Sequence, residues 1–289
     1  MLSVIVCTRD RADRLEHCLA SFEAADAPPG RWQLLVVDND SGDHTSQVVE
    51  DAARRGKLTL QYAIERARGL SFARNHGLAL TTGSIIAFTD DDCLVTKTWL
   101  TAILHEFDSD GALQVLGGRV EPATAEDAGT GARLFADRLT ISSFDQIMER
   151  LIGCNMILRR SVFDSVGLFD TRLGAGTCAG SAEDLDMFYR ALHAGVKMCF
   201  SPEVVIRHGH GRTSEASLLA IRDNYGRGRG AFYCKHILQG DRLMGQQLRR
   251  EVVWLIEAAA GRQPTASGFR PWRGLRNLGI GALQRLTGR

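Results

Sequence analysis

The segment "SIIAFTDDDC" (residues 84–93) decides the fold, because a short apolar run leads directly into three consecutive aspartates. A short apolar run that contains β-branched side chains is typical of a buried strand. The three aspartates then mark the carboxyl end of that strand. Neighbouring carboxylates repel one another, and the segment contains no cation to offset them. The sequence therefore raises the question of what neutralises these carboxylates.

Apolar runs alternate with segments of helical periodicity around this strand. The predicted strands cover residues 2–8, 32–38, 58–64 and 84–90, and the predicted helices cover residues 11–25, 44–55, 70–82 and 98–108. Such an alternation with short connections predicts an α/β domain, in which a parallel sheet is covered by helices on both faces. Sheets of this kind bind their ligands beyond the carboxyl ends of the strands.

Polar side chains follow three of the predicted strands at those carboxyl ends. They are Thr8, Arg9 and Arg11 after the first strand, Asp38 and Asn39 after the second, and Asp90, Asp91 and Asp92 after the fourth. Arginines suit phosphate groups, and carboxylates suit a hard divalent cation such as Mn²⁺ or Mg²⁺. The pattern predicts a nucleoside diphosphate bridged to the aspartates by a metal ion. The alternative is that these residues only form turns, as Asp and Asn often do at strand ends.

The charge of the chain is unevenly distributed, although its net charge is only +1. Residues 1–206 hold 20 Lys+Arg and 29 Asp+Glu, whereas residues 207–289 hold 15 and 5. A cationic tail of this kind indicates an anionic partner. We do not expect this partner to be a nucleic acid, because residues 1–206 are acidic overall and the sequence contains no recognisable nucleic-acid-binding module.

The remaining composition indicates an ordinary globular protein, with 44% hydrophobic and 24% charged residues. Seven cysteines without a Cys-x-x-Cys pair predict reduced thiols, and exclude a disulfide framework. The first apolar run is too short for a signal peptide, and no run is long enough to span a membrane. We therefore expect a cytoplasmic location.

Eight segments, in order over roughly residues 2–208, resemble the family 2 glycosyltransferases. They are "SVIVCTRDR", "LLVVDNDSGD", "RGLSFARNHGL", "FTDDDC", "GGRV", "GCNMILRRSVFDSVGLFD", "LGAGTCAGSAEDLDMFYRAL" and "FSPEVVIRH". The resemblance implies a GT-A type fold, a Rossmann-like nucleotide-sugar-binding sheet flanked by helices. It also implies inverting sugar transfer from a nucleoside-diphosphate sugar to a hydroxyl group of a glycan or lipid-linked acceptor.

The resemblance divides the chain into a catalytic domain and a tail. The domain is expected over residues 1–212, with a nucleotide half over about 1–120 and an acceptor half over about 121–212. A helical, basic extension is expected over residues 213–289.

The resemblance also implies roles for single residues. The Asp-x-Asp motif of the family falls on Asp90, which is expected at the ribose, and on Asp92, which is expected to bind the metal. His208 matches a histidine that completes the metal site in some relatives. The alternative is a surface or core residue without a ligand role, which is more common for a lone histidine after a strand. Thr8, Arg9, Arg11, Asp38, Asn39, Arg74 and Asp91 are expected near the nucleotide.

Asn39 marks a departure from the pattern of many UDP-sugar users, which have an aspartate there to accept a hydrogen bond from uracil. The amide oxygen of Asn39 could accept the same bond, and its NH₂ group could donate to another base. Uridine is the expected base, and guanosine and thymidine stay open.

The pair Glu183-Asp184 falls on the acidic motif in which the aspartate of the family acts as general base. A positioned carboxylate can take the proton of a sugar hydroxyl as it attacks. The alternative is a helix cap, because Ser181 stands three residues before Asp184 in a near capping box. If Asp184 is not the base, Glu183 is the next candidate.

The basic tail predicts contact with an anionic membrane, at the cytoplasmic face of the inner membrane. The segment "RPWRGLRNLGIGALQRLTGR" (270–289) interleaves apolar residues with arginines, as interfacial helices do. The alternative is a C-terminal helix that packs on the domain with solvated arginines.

Two other function classes stay open. A nucleotidyltransferase would be expected to carry a Gly-rich loop after the first strand, and "CTRDRADR" contains no glycine. A non-catalytic nucleotide-sugar-binding protein would be expected to have lost its acidic motifs, whereas Asp92 and Asp184 are both present.

Overall fold

The computed structural model describes residues 1–127, 131–209, 211, 214–265 and 270–287. The strands in this part of the chain are β1 (Leu2–Thr8), β2 (Trp32–Asp38), β3 (Leu60–Ile64), β4 (Ile85–Asp90), β5 (Cys93–Val95), β6 (Val115–Pro122), β7 (Leu139–Ile141), β8 (Met156–Arg159) and β9 (Met198–His208). The helices are α1 (Ala12–Glu23), α2 (Thr45–Arg54), α3 (Leu70–Leu80), α4 (Trp99–Ser109), α5 (Phe144–Arg150), α6 (Ser161–Val166), α7 (Glu183–His193), α8 (Glu215–Leu238), α9 (Arg242–Ala259) and α10 (Pro271–Thr287).

The described strands form one sheet with the order β3-β2-β1-β4-β8-β6-β9-β5, and β7 pairs with β9. Strands β3, β2, β1 and β4 run parallel. Their carboxyl ends therefore share one edge of the sheet, as the alternation of strands and helices predicts.

The parallel pairing that the first four strands predict does not extend to the second half of the sheet. Strand β8 is antiparallel to both of its neighbours, β4 and β6, and β5 and β7 are antiparallel to β9. Helix α4 separates β4 from β6 in the chain and lets β6 run in the same direction as β4. The strand that fills the gap between them runs the opposite way.

The main core lies between one face of the sheet and the helices α1, α2 and α4. Val4 and Val6 of β1 point to this face and are fully buried. Ile5 points to the other face, where α3 packs so closely that a Cβ on Gly77 would stand 2.7 Å from Ile5 Cγ2. The alternation in β1 follows from the two-residue period of a strand, with apolar residues on both sides because helices cover both.

Asn155 ties the second half of the sheet to α4. Its side-chain oxygen accepts from Trp99 Nε1 at 3.0 Å, and its NH₂ group donates to the carbonyl oxygens of Arg119 and Val204 at 3.1 and 2.9 Å. Since Trp99 and Asn155 are both completely buried, these bonds satisfy polar groups that water cannot reach.

The chain divides into two compact units. The first consists of Met1–Phe169 and Met187–Gly211, and the second of Asp170–Asp186 and Arg212–Arg289. The segment Asp170–Asp186, which the sequence pattern puts in the catalytic domain, thus groups with the C-terminal helices. The expected division at residue 212 stays a prediction.

The second unit contains α8, α9 and α10, so the extension is helical over its described residues. Gly230 and Gly281 let α8 and α10 approach closely, because a Cβ on Gly230 would stand 2.1 Å from the carbonyl oxygen of Leu278. Among the helices that the structure describes, none combines the length and apolarity needed to cross a membrane.

Candidate active site

The loops after β1 and β2 are locked together at the carboxyl edge of the sheet. The backbone N–H of Asp10 donates to Ser41 Oγ at 2.9 Å, and the N–H of Gly42 donates to Asp10 Oδ1 at 2.7 Å. Asp43 Oδ2 accepts from the N–H of Ala12 at 2.9 Å and so satisfies the first turn of α1. These bonds fix the direction in which α1 and the side chains before it leave the sheet.

The counter-charge of the aspartates comes in large part from the loop after β1 and from α1. Arg11 Nη1 lies 2.8 Å from Asp91 Oδ1 and 3.1 Å from Asp92 Oδ2. Arg14 Nη1 lies 3.3 Å from Asp92 Oδ2, and Thr8 Oγ1 donates to Asp91 Oδ2 at 2.8 Å. Asp91 is buried and uses both of its oxygens in these bonds, which makes it the inner support of the cluster.

His208 joins the cluster from the far side of the sheet. Strand β9 pairs with β5 so that His208 lies opposite Cys93, the residue that follows Asp92. This register brings His208 Nε2 to 3.1 Å from Asp92 Oδ1. Asp92 therefore has Arg11 and Arg14 at one oxygen and His208 at the other.

The surroundings of Asp91, Asp92 and His208 shift their pKa values. Burial would raise the pKa of Asp92, but the hydrogen bond from His208 and the charges of His208, Arg11 and Arg14 outweigh it and hold the pKa at about 2. Burial would lower the pKa of His208, but its bond to Asp92 raises it to about 9. Burial raises the pKa of Asp91 to about 6 against the opposing charge of Arg11. Of the two carboxylates, Asp92 has the lower pKa and therefore stays ionised at lower pH than Asp91.

The donor set fits a divalent metal ion. Among the residues that the structure describes, Asp92, Cys93 and His208 offer ligand atoms that lie within 4.8 Å of one another. Burial raises the pKa of the Cys93 thiol well above its usual range, which leaves it protonated and a poor ligand. A carboxylate oxygen and an imidazole nitrogen remain, and both suit Mn²⁺ when the metal displaces the proton that His208 shares with Asp92.

Asp90 contacts Arg74 of α3. Arg74 Nη2 is 3.4 Å from Asp90 Oδ1, and its guanidinium carbon lies 5.7 and 5.5 Å from the ring centres of Phe88 and Phe169. Because Arg74 is almost completely buried, it supports Asp90 from inside. Asp90 is about one-third exposed and is the acid of the three that solvent reaches most easily.

Asn39 fastens the connection between β3 and α3. Its NH₂ group donates to the carbonyl oxygens of Glu65 and Ala67, both at 2.8 Å, and its oxygen accepts from the N–H of Gly69 at 2.8 Å. Both donors and one acceptor position of the amide are therefore in use. The expected contact with a nucleobase stays a prediction, and it would have to use the second lone pair of Oδ1.

Asp38 and Arg9 frame the same corner of the site. Asp38 Oδ2 accepts from Tyr62 Oη at 2.5 Å, and Asp38 Oδ1 accepts from the N–H of Ser41 at 2.8 Å. Arg9 Nη1 donates to the carbonyl oxygen of Asn39 at 2.6 Å. The sequence pattern and the structure thus agree that these strand-end residues meet, and their nucleotide contacts stay predictions.

Glu183 and Asp184 open α7 and belong to the second compact unit. Glu183 is buried and Asp184 is half-buried, with Asp184 Oδ1 accepting from the N–H of Leu185 at 2.8 Å. The alternative reading, a capping box with Ser181 as the N-cap, does not fit the standard register, because α7 begins at Glu183 and Ala182 before it has a positive φ of 77°. The hydroxyl of Ser181 donates instead to the carbonyl oxygen of Asn224 at 3.0 Å.

Arg14 is the member of the cluster that sequence reasoning missed. It reaches Asp92 and also donates to the carbonyl oxygen of Gly209 at 3.1 Å, which ties the end of β9 to α1. The signal was present, because Arg11 and Arg14 are three residues apart at the start of a helix and therefore share a face. His210, two residues after His208, lies outside the described residues.

The chain matches known proteins over most of this architecture. The sequence model of glycosyl transferase family 2 matches residues 3–167. Glycosyltransferase AglE of Haloferax volcanii is 28% identical over 210 residues, which are 72% of this chain and 66% of that protein. Succinoglycan biosynthesis protein ExoM of Rhizobium meliloti is 31% identical over 208 residues, 70% of this chain and 64% of that protein. The chain therefore spans just under two thirds of the length of these two relatives.

Solved structures share the fold. A mannosyltransferase from Pyrobaculum calidifontis in complex with GDP-Man and Mn²⁺ superimposes with a TM-score of 0.69 at 19% identity, over 100% of this chain and 87% of that one. Staphylococcus aureus TarS in complex with UDP-GlcNAc superimposes with a TM-score of 0.64 at 22% identity, over 80% of this chain and 65% of that one. These likenesses confirm the α/β fold that the sequence pattern predicts and the GT-A type that the family resemblance implies.

Proposed function

The chain belongs to glycosyl transferase family 2, and from this premise we propose that it transfers a sugar from a nucleoside-diphosphate sugar to a hydroxyl group of a glycan or lipid-linked acceptor, with inversion. The observation that carries the proposal is the cluster of Thr8, Arg11, Asp91, Asp92 and His208 at the carboxyl edge of the sheet. Sheets with this topology bind nucleotides at that edge.

In the proposed donor site, Asp92 and His208 would hold a divalent metal ion, Mn²⁺ or Mg²⁺. The bound metal would neutralise charge on the diphosphate as it leaves. The Pyrobaculum calidifontis protein, which was solved with both GDP-Man and Mn²⁺, supports the use of a divalent metal. Asp90 contacts the ribose, since it is the more exposed end of the cluster. Arg11 is released from Asp91 and Asp92 toward the phosphates, where a guanidinium binds bidentately.

The proposed acceptor chemistry depends on a base that removes the proton of the attacking hydroxyl. We assign this role to Asp184, whose side chain is half-buried at the start of α7. A base on the face of the sugar opposite the diphosphate permits a single displacement, which inverts the anomeric centre. General base catalysis of this kind contributes roughly 10²–10⁴-fold.

A panel of nucleotides tests the donor proposal. We expect UDP, or else GDP or dTDP, at about 100 times its Kd to raise the melting temperature by several degrees with Mn²⁺ and by much less without it. Binding at that concentration stabilises the folded state by about 2.7 kcal/mol. The same donors are then assayed for diphosphate release, with alkyl glycosides and lipid-phosphate-linked sugars as acceptors. Stabilisation by UTP plus a sugar 1-phosphate, with release of pyrophosphate, would instead support a nucleotidyltransferase.

For the basic tail we propose an anionic membrane at the cytoplasmic face as the partner. The exposed residues of α10 recur with helical spacing, and Trp272, Leu283 and Leu286 are 67%, 59% and 61% exposed. The opposite face, with Leu278 and Gly281, packs on α8. An outer face on which these apolar side chains stand with the exposed Arg276 suits the headgroup region of an anionic bilayer.

Point variants separate lipid binding from folding, which deletion of α10 would not. The wild-type protein is expected to co-sediment with vesicles of phosphatidylglycerol and phosphatidylcholine at low salt and to be released as salt is added. The double variant Trp272→Ser/Leu283→Ser should bind several-fold more weakly with an unchanged melting temperature, since both side chains are exposed. If the wild-type protein does not co-sediment with these vesicles at low salt, membrane docking is refuted.

A further inference from the structure

Two contacts attach the start of α7 to α8 in the second unit. At the first, the hydroxyl of Ser181 donates to the carbonyl oxygen of Asn224 at 3.0 Å. The segment lies so close there that a Cβ on Gly228 would stand 2.1 Å from Ser181 Oγ. At the second, Lys235 Nζ lies 2.8 Å from Asp186 Oδ1. Asn224 and Lys235 are about three helical turns apart on α8, so the segment is held at two separated points.

The second contact is a buried network of charges. Asp186 has no exposed surface, and its carboxylate is bonded both to Lys235 and to His236 Nε2, which lies 3.0 Å from Oδ1. Lys235 Nζ also lies 3.0 Å from Asp170 Oδ2, and Arg285 of α10 reaches the same oxygen at 2.7 Å. The carboxylates Asp170 and Asp186 are thus balanced by two cations from the C-terminal helices.

Stability alone is a weak reason for such a network. A buried ion pair is often no more stabilising than apolar side chains of the same size, because both charges must leave water. What a paired, fully hydrogen-bonded carboxylate does provide is a single orientation. Asp186 has contacts on α8 at two nitrogen atoms, and these fix the rotation of the first turn of α7 about its axis.

The rotation of this turn determines where Asp184 points. Each residue of an α-helix is turned by about 100° from the one before it, so Asp184 and Asp186 are about 200° apart. Holding Asp186 against α8 therefore directs Asp184 away from α8. Asp186 is accordingly completely buried, whereas Asp184 is half-buried.

We propose that Lys235, acting through Asp186, is a positioning residue for Asp184, so that the C-terminal helices aim the general base. This inference rests on the proposed role of Asp184 as that base. A displacement of a catalytic group by about 1 Å can cost roughly 10²-fold in rate. The network is then part of the catalytic apparatus, although its own members act only through the position of Asp184.

The variant Lys235→Met tests the proposal, because methionine keeps most of the volume and removes the charge. We expect the kcat for diphosphate release to fall about 10–100-fold per folded molecule, while the donor Kd stays within about two-fold. Amide hydrogen exchange should become faster over residues 182–187. Asp186→Asn should have a similar effect, and the double variant should be no worse than the poorer single variant, since both break the same contact.

The matched control is Asp223→Asn, which weakens a different ion pair of the same unit. Asp223 binds Arg273 at 2.6 Å and Asn277 at 2.6 Å, and these bonds join α8 to α10. We expect this variant to lower the melting temperature and to leave kcat per folded molecule unchanged.

The outcomes are separable. A Lys235→Met protein whose kcat per folded molecule equals that of wild type, with only its melting temperature lowered, overturns the positioning role. Asp184→Asn, assayed in parallel, reports on the base itself. If Asp184→Asn keeps its transfer rate, the proposed function of Asp184 fails; if it is inactive while Lys235→Met is normal, only the positioning inference fails.

Discussion

Asp184→Asn is expected to lower the transfer rate by at least about 10²–10⁴-fold while the donor still binds with near wild-type affinity. An amide cannot accept a proton from the attacking hydroxyl, which is the step assigned to this carboxylate. The amide oxygen can still accept the hydrogen bond from the N–H of Leu185. The free energy of unfolding should therefore fall by only about 1 kcal/mol or less. Melting temperature, donor affinity and transfer rate are measured on the same sample.

Asp145→Asn is the matched control, because Asp145 is an exposed acid in the first turn of α5. It makes the same chemical change at another helix start and should lower stability slightly without changing transfer. If Asp184 serves the helix alone, the two variants will behave alike. A folded Asp184→Asn protein that binds donor and transfers within a few-fold of wild type would make Glu183 the next candidate.

The first half of the fold could be predicted from the sequence in detail. Apolar runs such as "LSVIVCT" lie in strands that are buried on both faces, so local pattern and final environment agree. The rest of the sheet was harder to predict, because β5, β7 and β8 are short. Their direction depends on the strands beside which they pair, and these are distant in the sequence. Helix α8 lies within the helical extension that was expected, but its bounds could not be predicted, since "GRGRG" interrupts its apolar pattern with three glycines of low helix propensity.

For the candidate site, the sequence indicated which residues gather but not what each of them touches. Strand ends could be placed at a common edge, and Thr8, Arg11 and Asp92 do meet there. The partners of Asn39 and Asp186 could not be predicted, because their bonds join segments that are 26–50 residues apart and depend on the exact path of loops and helices. The sequence pattern predicted a metal ion as the counter-charge, and the contribution of Arg14 and His208 could not be predicted, since they reach Asp92 from two different elements.

Asp92→Asn is expected to weaken Mn²⁺-dependent binding of the nucleoside diphosphate by at least about 100-fold. Substitutions one shell away from a metal typically cost about 10–100-fold in affinity, and loss of a direct carboxylate ligand should cost no less. Stability should also fall by about 1–3 kcal/mol, because Arg11, Arg14 and His208 lose their shared anion. The arginine side chains are about one-third exposed, so water compensates for part of this loss. Calorimetric titration of the diphosphate with and without Mn²⁺ measures the first effect, and urea unfolding measures the second.

Asp91→Asn distinguishes metal binding from support of the cluster, because Asp91 is the adjacent carboxylate and is equally buried. Both oxygens of Asp91 are bonded within the protein, to Thr8 and to Arg11. The variant should therefore lower the free energy of unfolding, while Mn²⁺-dependent binding stays within a few-fold of wild type. His208→Gln should reduce metal-dependent binding like Asp92→Asn, though less, since one nitrogen ligand is replaced by a weaker amide. If Asp91→Asn and Asp92→Asn lose metal-dependent binding equally, the two carboxylates act together and Asp92 is not the specific ligand. If Asp92→Asn keeps its Mn²⁺-dependent binding of the diphosphate, the carboxylate of Asp92 serves only to hold Arg11, Arg14 and His208 in place, and the metal lies elsewhere.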